Sequence, residues 1–147
     1  MTSAEEIKVL LVDDEPHFVK LLAERLEGRG CNVETAGGGP EAIDKAKGEP
    51  YDAIILDLLM PDMDGLETLK QLKEINPDLQ VILLTGHGTI DKGVEAMKLG
   101  AMDFVEKPAD FKELLEKIKK AKDQRMLLVE KRHEERIKEL MKSKSWG

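Results

Sequence analysis

The sequence of 147 residues is poor in cysteine and in aromatic residues, and it has no long apolar run. Its one cysteine, Cys31, leaves no partner for an internal disulfide bond, so we expect a reducing, cytoplasmic environment. Aromatic residues make up 3% of the chain, so the core must consist of aliphatic side chains. No apolar stretch is as long as a bilayer-crossing helix, and the polar N-terminus does not resemble a signal peptide, so we expect no membrane span.

Charge is abundant in the chain and unevenly distributed. Charged residues make up 36% and hydrophobic residues 41%, a balance typical of a globular domain rather than a disordered chain. Residues 1–111 carry an excess of Asp and Glu, which argues against direct nucleic-acid binding by a domain at residues 1–122. Residues 112–147 carry an excess of Lys and Arg, which is typical of a solvated helix face and also suits an acidic partner.

Apolar segments with the length of strands alternate with segments of helical periodicity. The predicted strands span residues 7–12, 33–36, 53–57, 81–85 and 102–106. The predicted helices run from Pro16 to Gly28, from about Pro40 to Lys47, from about Leu66 to Ile75, from Ile90 to Gly100, and onward from Asp110. This alternation predicts an α/β fold, a doubly wound five-stranded parallel sheet with right-handed crossovers and helices on both faces.

Polar side chains stand at or just past the ends of four predicted strands. They are Asp13, Asp14, Asp57, Thr85 and Lys107. The carboxyl ends of parallel strands meet at one edge of a doubly wound sheet, and ligands bind at that edge. We therefore expect three acids, one hydroxyl and one lysine to converge there.

Such a group of side chains is suited to phosphoryl transfer. Three neighbouring carboxylates repel one another, and a hard divalent cation such as Mg²⁺, which prefers oxygen ligands, relieves that repulsion. A lysine and a hydroxyl supply further contacts to phosphate oxygens. A carboxylate is then the expected nucleophile, and Asp57 is the best candidate because its strand lies centrally among the others.

Four motifs in this chain resemble the receiver domain of bacterial two-component response regulators, the CheY-like superfamily. They are Val12-Asp13-Asp14-Glu15, Asp57 to Gly65, Thr85-Gly86 and Lys107-Pro108. The resemblance covers about residues 6–122, with the motifs in the family's order and at its usual spacing. It implies a flavodoxin-like sheet with strand order 2-1-3-4-5.

The resemblance also implies a role for each residue of the site. Asp57 accepts a phosphoryl group from a sensor histidine kinase or a phosphotransfer protein. Asp14 is a direct Mg²⁺ ligand, Asp13 acts mainly through water, and Asp57 and the backbone carbonyl of Leu59 complete the protein ligands. Lys107 binds the phosphoryl group, and the peptide bond that follows it is cis.

The same resemblance identifies a switch and a responding surface. Thr85 and Phe104 are similar to the family's switch pair, in which the hydroxyl moves toward the phosphoryl group and the ring turns inward. The fourth helix, fifth strand and fifth helix form the responding surface for a downstream effector protein or output domain. The protein is then a switch that catalyses only its own phosphorylation and dephosphorylation.

Two further residues are expected to modulate the lifetime of the phosphoryl group. Leu59 lies two residues beyond Asp57, and its side chain is unable to hydrogen-bond an attacking water. His87 lies two residues beyond Thr85 and is able to make such a bond. We expect that Leu59→Asn changes the rate of self-dephosphorylation.

The chain continues as a predicted helix beyond the receiver motifs, and we assign residues 123–147 to a helical extension or linker. Arg125, Arg132 and Glu135 interrupt its apolar seam, which makes it a poor heptad repeat. Three interpretations stay open. The extension forms a dimer or docks a partner; it is a linker to an output domain, as in the enhancer-binding activators that Thr85 to Gly88 resembles; or it is a frayed tail.

Two other classes of protein are alternatives to a receiver domain. A metal-dependent phosphatase or phosphotransferase also uses an aspartyl phosphate, but such enzymes need a second general acid near the nucleophile, and here Leu58 and Leu59 follow Asp57. A flavodoxin-like nucleotide binder needs a phosphate-binding loop after the first strand, where this chain has Asp13-Asp14-Glu15. Nothing in these residues resembles a DNA-binding motif or a second catalytic domain.

Overall fold

The computed structural model describes residues 7–59, 64–86, 90–108 and 110–144. Five strands in these residues form one parallel sheet with the order β2-β1-β3-β4-β5. The strands are β1 (Lys8–Val12), β2 (Asn32–Ala36), β3 (Ala53–Asp57), β4 (Val81–Thr85) and β5 (Asp103–Glu106). The predicted fold class and strand order are confirmed.

A helix follows each strand, as the alternation predicts. The helices are α1 (Pro16–Glu27), α2 (Gly39–Gly48), α3 (Gly65–Ile75), α4 (Ile90–Lys98) and α5 (Phe111–Lys144). The Asp64 side chain caps α3, because its Oδ1 accepts a 2.9 Å hydrogen bond from the Leu66 N–H. Beyond α4, Gly100 adopts a φ of 105°, a left-handed conformation that favours glycine at the end of a helix.

The two faces of the sheet bury separate aliphatic layers. Along β3, Ile54 and Leu56 face the layer under α2, α3 and α4, whereas Ala53 and Ile55 face the layer under α1 and α5. All five residues of β3 and of β4 are buried, which explains why these strands are unbroken apolar runs. Burying one Leu or Ile side chain stabilises the fold by about 1.5–3 kcal/mol relative to leaving it exposed. The buried strands therefore form a stable base for the polar residues at their carboxyl ends.

Helix α5 packs its first three turns on the sheet and then continues without a break. Its buried residues are Phe111, Leu114, Leu115, Ile118 and Ala121. Farther along, Arg125 Nη1 donates a 2.8 Å hydrogen bond to Asp52, and Arg132 Nη2 donates a 2.9 Å hydrogen bond to Asp78. Asp52 and Asp78 are buried just before β3 and β4, so these arginines tie the extension to the edge opposite the carboxyl ends.

The extension also carries apolar side chains that are exposed in this chain. They are Met126, Leu127, Val129, Ile137, Leu140 and Met141. The helix is continuous through residues 122 and 123, where the boundary between receiver and extension is predicted. Across the described residues, no helix combines the length and hydropathy of a membrane-spanning segment.

Candidate functional site

The sheet register brings the predicted site residues to one edge. Val12 pairs with Leu56 across β1 and β3, so the residues that follow them, Asp13 and Asp57, emerge side by side. On the other side of β3, Asp57 pairs with Leu84, the residue before Thr85. Lys107 follows β5 directly, and its N–H donates a 2.6 Å hydrogen bond to the Thr85 carbonyl. The expected convergence of these side chains is therefore present in the structure.

Three carboxylates form the acidic part of this site. One oxygen from each of Asp13, Asp14 and Asp57 lies within 4.8 Å of the other two. Asp13 and Asp57 are buried, whereas Asp14 is exposed. The backbone holds the two buried groups, because Asp13 Oδ1 accepts a 3.0 Å hydrogen bond from Glu15 N–H and Asp57 Oδ1 accepts a 3.1 Å bond from Leu59 N–H.

Lys107 closes the site from the side of β5. Its Nζ atom lies 2.9 Å from Asp13 Oδ2 and 3.2 Å from Asp57 Oδ2, so one ammonium group bridges two buried acids. Burial alone lowers the pKa of Lys107, but the hydrogen bonds and charges of Asp13 and Asp57 outweigh it, and the pKa is raised. The Lys107–Pro108 peptide bond is cis, as predicted.

The electrostatics of Asp57 differ from those of an exposed aspartate. Burial raises its pKa, and the nearby charge of Asp13 acts in the same direction. The Leu59 N–H and the Lys107 ammonium group counter this only in part, so the pKa of Asp57 stays above its ordinary value. A cation placed among these carboxylates would favour the ionised form, which is the form that acts as a nucleophile.

The donor set fits Mg²⁺. It offers carboxylate oxygens that are close enough to share one ion, and Mg²⁺ prefers oxygen ligands and takes only one or two carboxylates directly. The backbone carbonyl of Leu59, two residues after Asp57, is the further ligand that the family resemblance implies. Lys107 sets one ammonium group against three carboxylates, so a divalent cation would balance negative charge that Lys107 alone leaves.

The predicted switch pair lies on β4 and β5, on the opposite side of β3 from β1. Thr85 is buried, and its Oγ1 donates a long, 3.5 Å hydrogen bond to the Val105 carbonyl. The Phe104 side chain is 44% exposed. Both residues line a groove of about 200 Å³ that Val94 and Met97 of α4 complete. The hydroxyl is thus engaged with the backbone of β5, while the aromatic ring is partly exposed beside the groove.

One feature of this region differs from the interpretation of the sequence. Val94 and Met97 mark the apolar periodicity of α4, yet 52% and 38% of their surfaces are exposed, because they border the groove instead of filling the core. Of the two residues predicted to modulate the lifetime of the phosphoryl group, Leu59 is 51% exposed at the rim of the site. His87 lies outside the described residues, so its predicted modulating role stays a prediction.

Phe18 is a neighbour of the site that sequence reasoning did not assign to it. Its spacing in α1 indicates a core residue, and it does pack against the layer under α1 and α5. Its ring centroid also lies 4.6 Å from Lys107 Nζ. No local pattern signals this contact, since the two residues lie in different β–α units.

A parallel sheet that presents three acids, a buried hydroxyl and a lysine at its carboxyl edge fits a phosphoacceptor domain. The family model described as "Response regulator receiver domain" matches residues 9–119, and the chain belongs to this family of two-component signalling domains. These findings favour the receiver interpretation over a phosphatase or phosphotransferase.

Known proteins similar to this chain point the same way. The transcriptional regulatory protein ZraR of Klebsiella oxytoca is 38% identical over 112 residues, which are 76% of this chain and 25% of that protein. The C4-dicarboxylate transport transcriptional regulatory protein DctD of Pseudomonas aeruginosa is 39% identical over 128 residues, which are 86% of this chain and 28% of that protein. The chain therefore spans about a quarter of the length of these curated relatives.

Among solved structures, a response regulator receiver domain protein from Clostridium thermocellum superposes with a TM-score of 0.78 at 35% identity. The match covers 83% of this chain and 98% of that one. The fold similarity thus extends over nearly all of that receiver domain protein.

Proposed function

We propose that Asp57 is the phosphoacceptor of this receiver domain and that a sensor histidine kinase or a phosphotransfer protein is the donor. The observation that carries the proposal is the position of Asp57 within one cluster, 3.2 Å from the Lys107 ammonium group and within 4.8 Å of two other carboxylates. An Oδ atom of Asp57 attacks the phosphorus of a phosphohistidine. The O–P bond forms as the P–N bond breaks, and the bonding electrons stay on the imidazole nitrogen.

In this proposal Asp14, Asp57 and the Leu59 carbonyl hold Mg²⁺, with Asp13 acting through water. The bound ion would neutralise charge on the carboxylates and on the phosphoryl oxygens. Lys107 binds one phosphoryl oxygen, which requires it to exchange a carboxylate contact for a phosphate contact. The Thr85 hydroxyl, now 3.5 Å from the Val105 carbonyl, donates to another phosphoryl oxygen.

Movement of Thr85 toward the phosphoryl group frees space beside Phe104. The exposed ring then turns into the groove bordered by Val94 and Met97, and the surface formed by α4, β5 and α5 changes shape. The phosphoryl group thereby favours one of two states of the domain. Leu59 and His87 set how fast the domain removes its own phosphoryl group by attack of water.

The partners of the whole protein follow from this role and from its relatives. ZraR and DctD are transcriptional regulators about four times as long as the matched region. We propose that the α4–β5–α5 surface acts on an effector protein or output domain, that the extension at residues 123–147 contributes to a homodimer or a linker, and that residues 1–122 do not bind nucleic acid themselves. A cytoplasmic location belongs to the same proposal.

The decisive experiment is intact-mass measurement after incubation with acetyl phosphate. Wild type is expected to gain the mass of one phosphoryl group only when Mg²⁺ is present, and Asp57→Asn is expected to gain none. Asp44→Asn, which changes an exposed aspartate on α2, is the matched control and should be modified like wild type.

Other outcomes would contradict the proposal in distinct ways. Absence of an adduct on wild type would indicate a receiver fold that signals by binding alone. Modification of Asp57→Asn equal to wild type would place the phosphoryl group on another residue. Repeated turnover of a phosphate ester would favour a phosphatase or phosphotransferase.

A further inference from the structure

Phe18 contacts the lysine of the candidate site through the face of its ring. The ring centroid lies 4.6 Å from Lys107 Nζ, and the same nitrogen is hydrogen-bonded to Asp13 and Asp57. The ammonium group is therefore held between two carboxylates and an aromatic face. Phe18 belongs to the first turn of α1, which begins at Pro16.

The contact matters because a lysine is a flexible point charge. Its four-carbon stem has many rotamers, and restricting them costs conformational free energy. The negative face of an aromatic ring attracts a cation that lies within about 6 Å of its centroid. A ring already fixed by α1 therefore limits where the Lys107 ammonium group rests, even when a carboxylate contact is broken.

We propose that Phe18 is a positioning residue that keeps the Lys107 ammonium group facing Asp57 while the incoming phosphoryl group replaces a carboxylate contact. The inference rests on the proposed function, because it concerns the same phosphoryl transfer. Phe18 also packs against the apolar layer under α1 and α5, but packing alone does not require a ring, because an aliphatic side chain also fills that space. The proposed role is therefore separate from packing. The ring face is what an aliphatic replacement lacks.

The test compares replacements with and without a ring at this position. Initial rates of modification by acetyl phosphate are measured by intact mass at saturating Mg²⁺. Phe18→Leu and Phe18→Met are both expected to slow the reaction about three- to tenfold, as the loss of one cation–π contact predicts. Phe18→Tyr keeps the ring and is expected to stay within about twofold of wild type.

A matched control separates positioning from general packing. Phe111 at the start of α5 also carries a cation over its ring, with the Arg25 guanidinium carbon 4.1 Å from the centroid. Phe111→Leu removes an aromatic ring from the same apolar layer, so it should lower thermal stability while leaving the rate of modification unchanged. Thermal unfolding of all variants records the packing cost independently.

A double-mutant cycle tests whether Phe18 acts through Lys107. In a Lys107→Met background, Phe18→Leu is expected to cause no further loss of rate, because the cation is gone. Three results would overturn the inference. Phe18→Leu would slow modification as much in the Lys107→Met background as in the native one, or Phe18→Leu and Phe18→Met would both react at the wild-type rate, or Phe18→Tyr would slow modification as much as Phe18→Leu does. If wild type itself takes no phosphoryl group, the proposed function fails and the inference fails with it. If wild type is modified, the rates of the Phe18 variants test the inference alone.

Discussion

Gly65 and Leu58 approach each other so closely that a Cβ atom on Gly65 would lie 2.6 Å from the Cα of Leu58. The Gly65 N–H also donates a 3.3 Å hydrogen bond to the Leu58 carbonyl. Leu58 directly follows Asp57, so the first residue of α3 packs against the backbone that carries the candidate phosphoacceptor. A side chain at Gly65 has to move that backbone, because the atoms it meets are main-chain atoms.

We expect Gly65→Ala to destabilise the fold by about 1–3 kcal/mol, the usual cost of overpacking, and to slow modification of Asp57. Urea denaturation measures the first effect, and intact mass with acetyl phosphate measures the second. Gly48→Ala is the matched control, because a Cβ at Gly48, the last residue of α2, meets no atom within 4 Å. That variant should be as stable as wild type or gain up to about 1 kcal/mol. Equal stability of the two variants would contradict the expectation.

We expect the lifetime of the phosphoryl group on Asp57 to depend on the side chain at position 59. Leu59 is 51% exposed at the rim of the site and offers no hydrogen bond to an attacking water. Leu59→Asn supplies such a bond, so decay of the phosphorylated protein in Mg²⁺ should become about three- to tenfold faster. Leu21 on α1 is also 51% exposed, and Leu21→Asn should leave the decay unchanged. Identical decay of Leu59→Asn and wild type would rule the side chain out.

Because Arg125 and Arg132 of α5 form ion pairs with the receiver, we expect the stability of the receiver to depend on residues beyond Lys122. Asp52 is buried and accepts hydrogen bonds from the Lys8 N–H and from Arg125. Arg125→Met leaves this acid without its charged partner and should lower the free energy of unfolding by about 1–2 kcal/mol. Arg136→Met, a change at an exposed position of the same helix, is expected to stay within about 0.5 kcal/mol of wild type.

Truncation provides a second measurement of how much Arg125 and Arg132 stabilise the receiver. A chain ending at Lys122 loses both Arg125 and Arg132, whereas a chain ending at Glu135 keeps them. We therefore expect the shorter chain to unfold at a lower urea concentration than the longer one. Equal midpoints would show that the receiver is complete at residue 122.

Tyr51 and Glu34 are expected to make the stability of the fold pH-dependent, separately from the acidic cluster. The buried Tyr51 hydroxyl donates a 2.7 Å hydrogen bond to Glu34 Oε1. This bond holds the pKa of Glu34 below its ordinary value, and the positive charges of Lys8 and Lys45 act in the same direction. A lowered folded-state pKa stabilises the fold above the ordinary value of 4.5, and that stability is lost as the pH falls through the folded-state pKa.

Tyr51→Phe should therefore reduce the free energy of unfolding at neutral pH, and the difference from wild type should narrow on acidification below pH 4.5. Chemical denaturation across this range measures the difference. In a Glu34→Gln background the same substitution should cost a similar amount at every pH. A constant difference in the native background would mean that Glu34 contributes no pH-dependent stability.

The parts of the structure that depend on local sequence could be predicted. The apolar runs of β3 and β4 predict buried parallel strands, and the alternation with helices predicts which ends converge. From that convergence alone, Asp13, Asp57 and Lys107 were expected in one place, and they are hydrogen-bonded there. This worked because strand order and register determine the position of any residue that directly follows a strand.

Contacts between distant elements could not be predicted in this way. Arg125 and Arg132 look like interruptions of an apolar seam in the sequence, but their partners, Asp52 and Asp78, lie in other β–α units. Phe18 has the spacing of a core residue, and only the approach of the loop after β5 brings Lys107 to its ring. Periodicity describes which face of a helix is apolar, but it does not identify the residue on the facing element.

The length of α5 means that a small tilt at its start would become a large displacement at its far end. The helix begins four residues after Lys107 and runs for 34 residues, about 50 Å at the rise of an α-helix. A tilt of about 5° at Phe111 would displace the far end by about 4 Å, a larger movement than a side chain in the site needs to make. The ion pairs at Arg125 and Arg132 hold α5 against the body of the domain. If phosphorylation of Asp57 rotated the start of α5, these ion pairs would limit the movement passed on to residues 133–144.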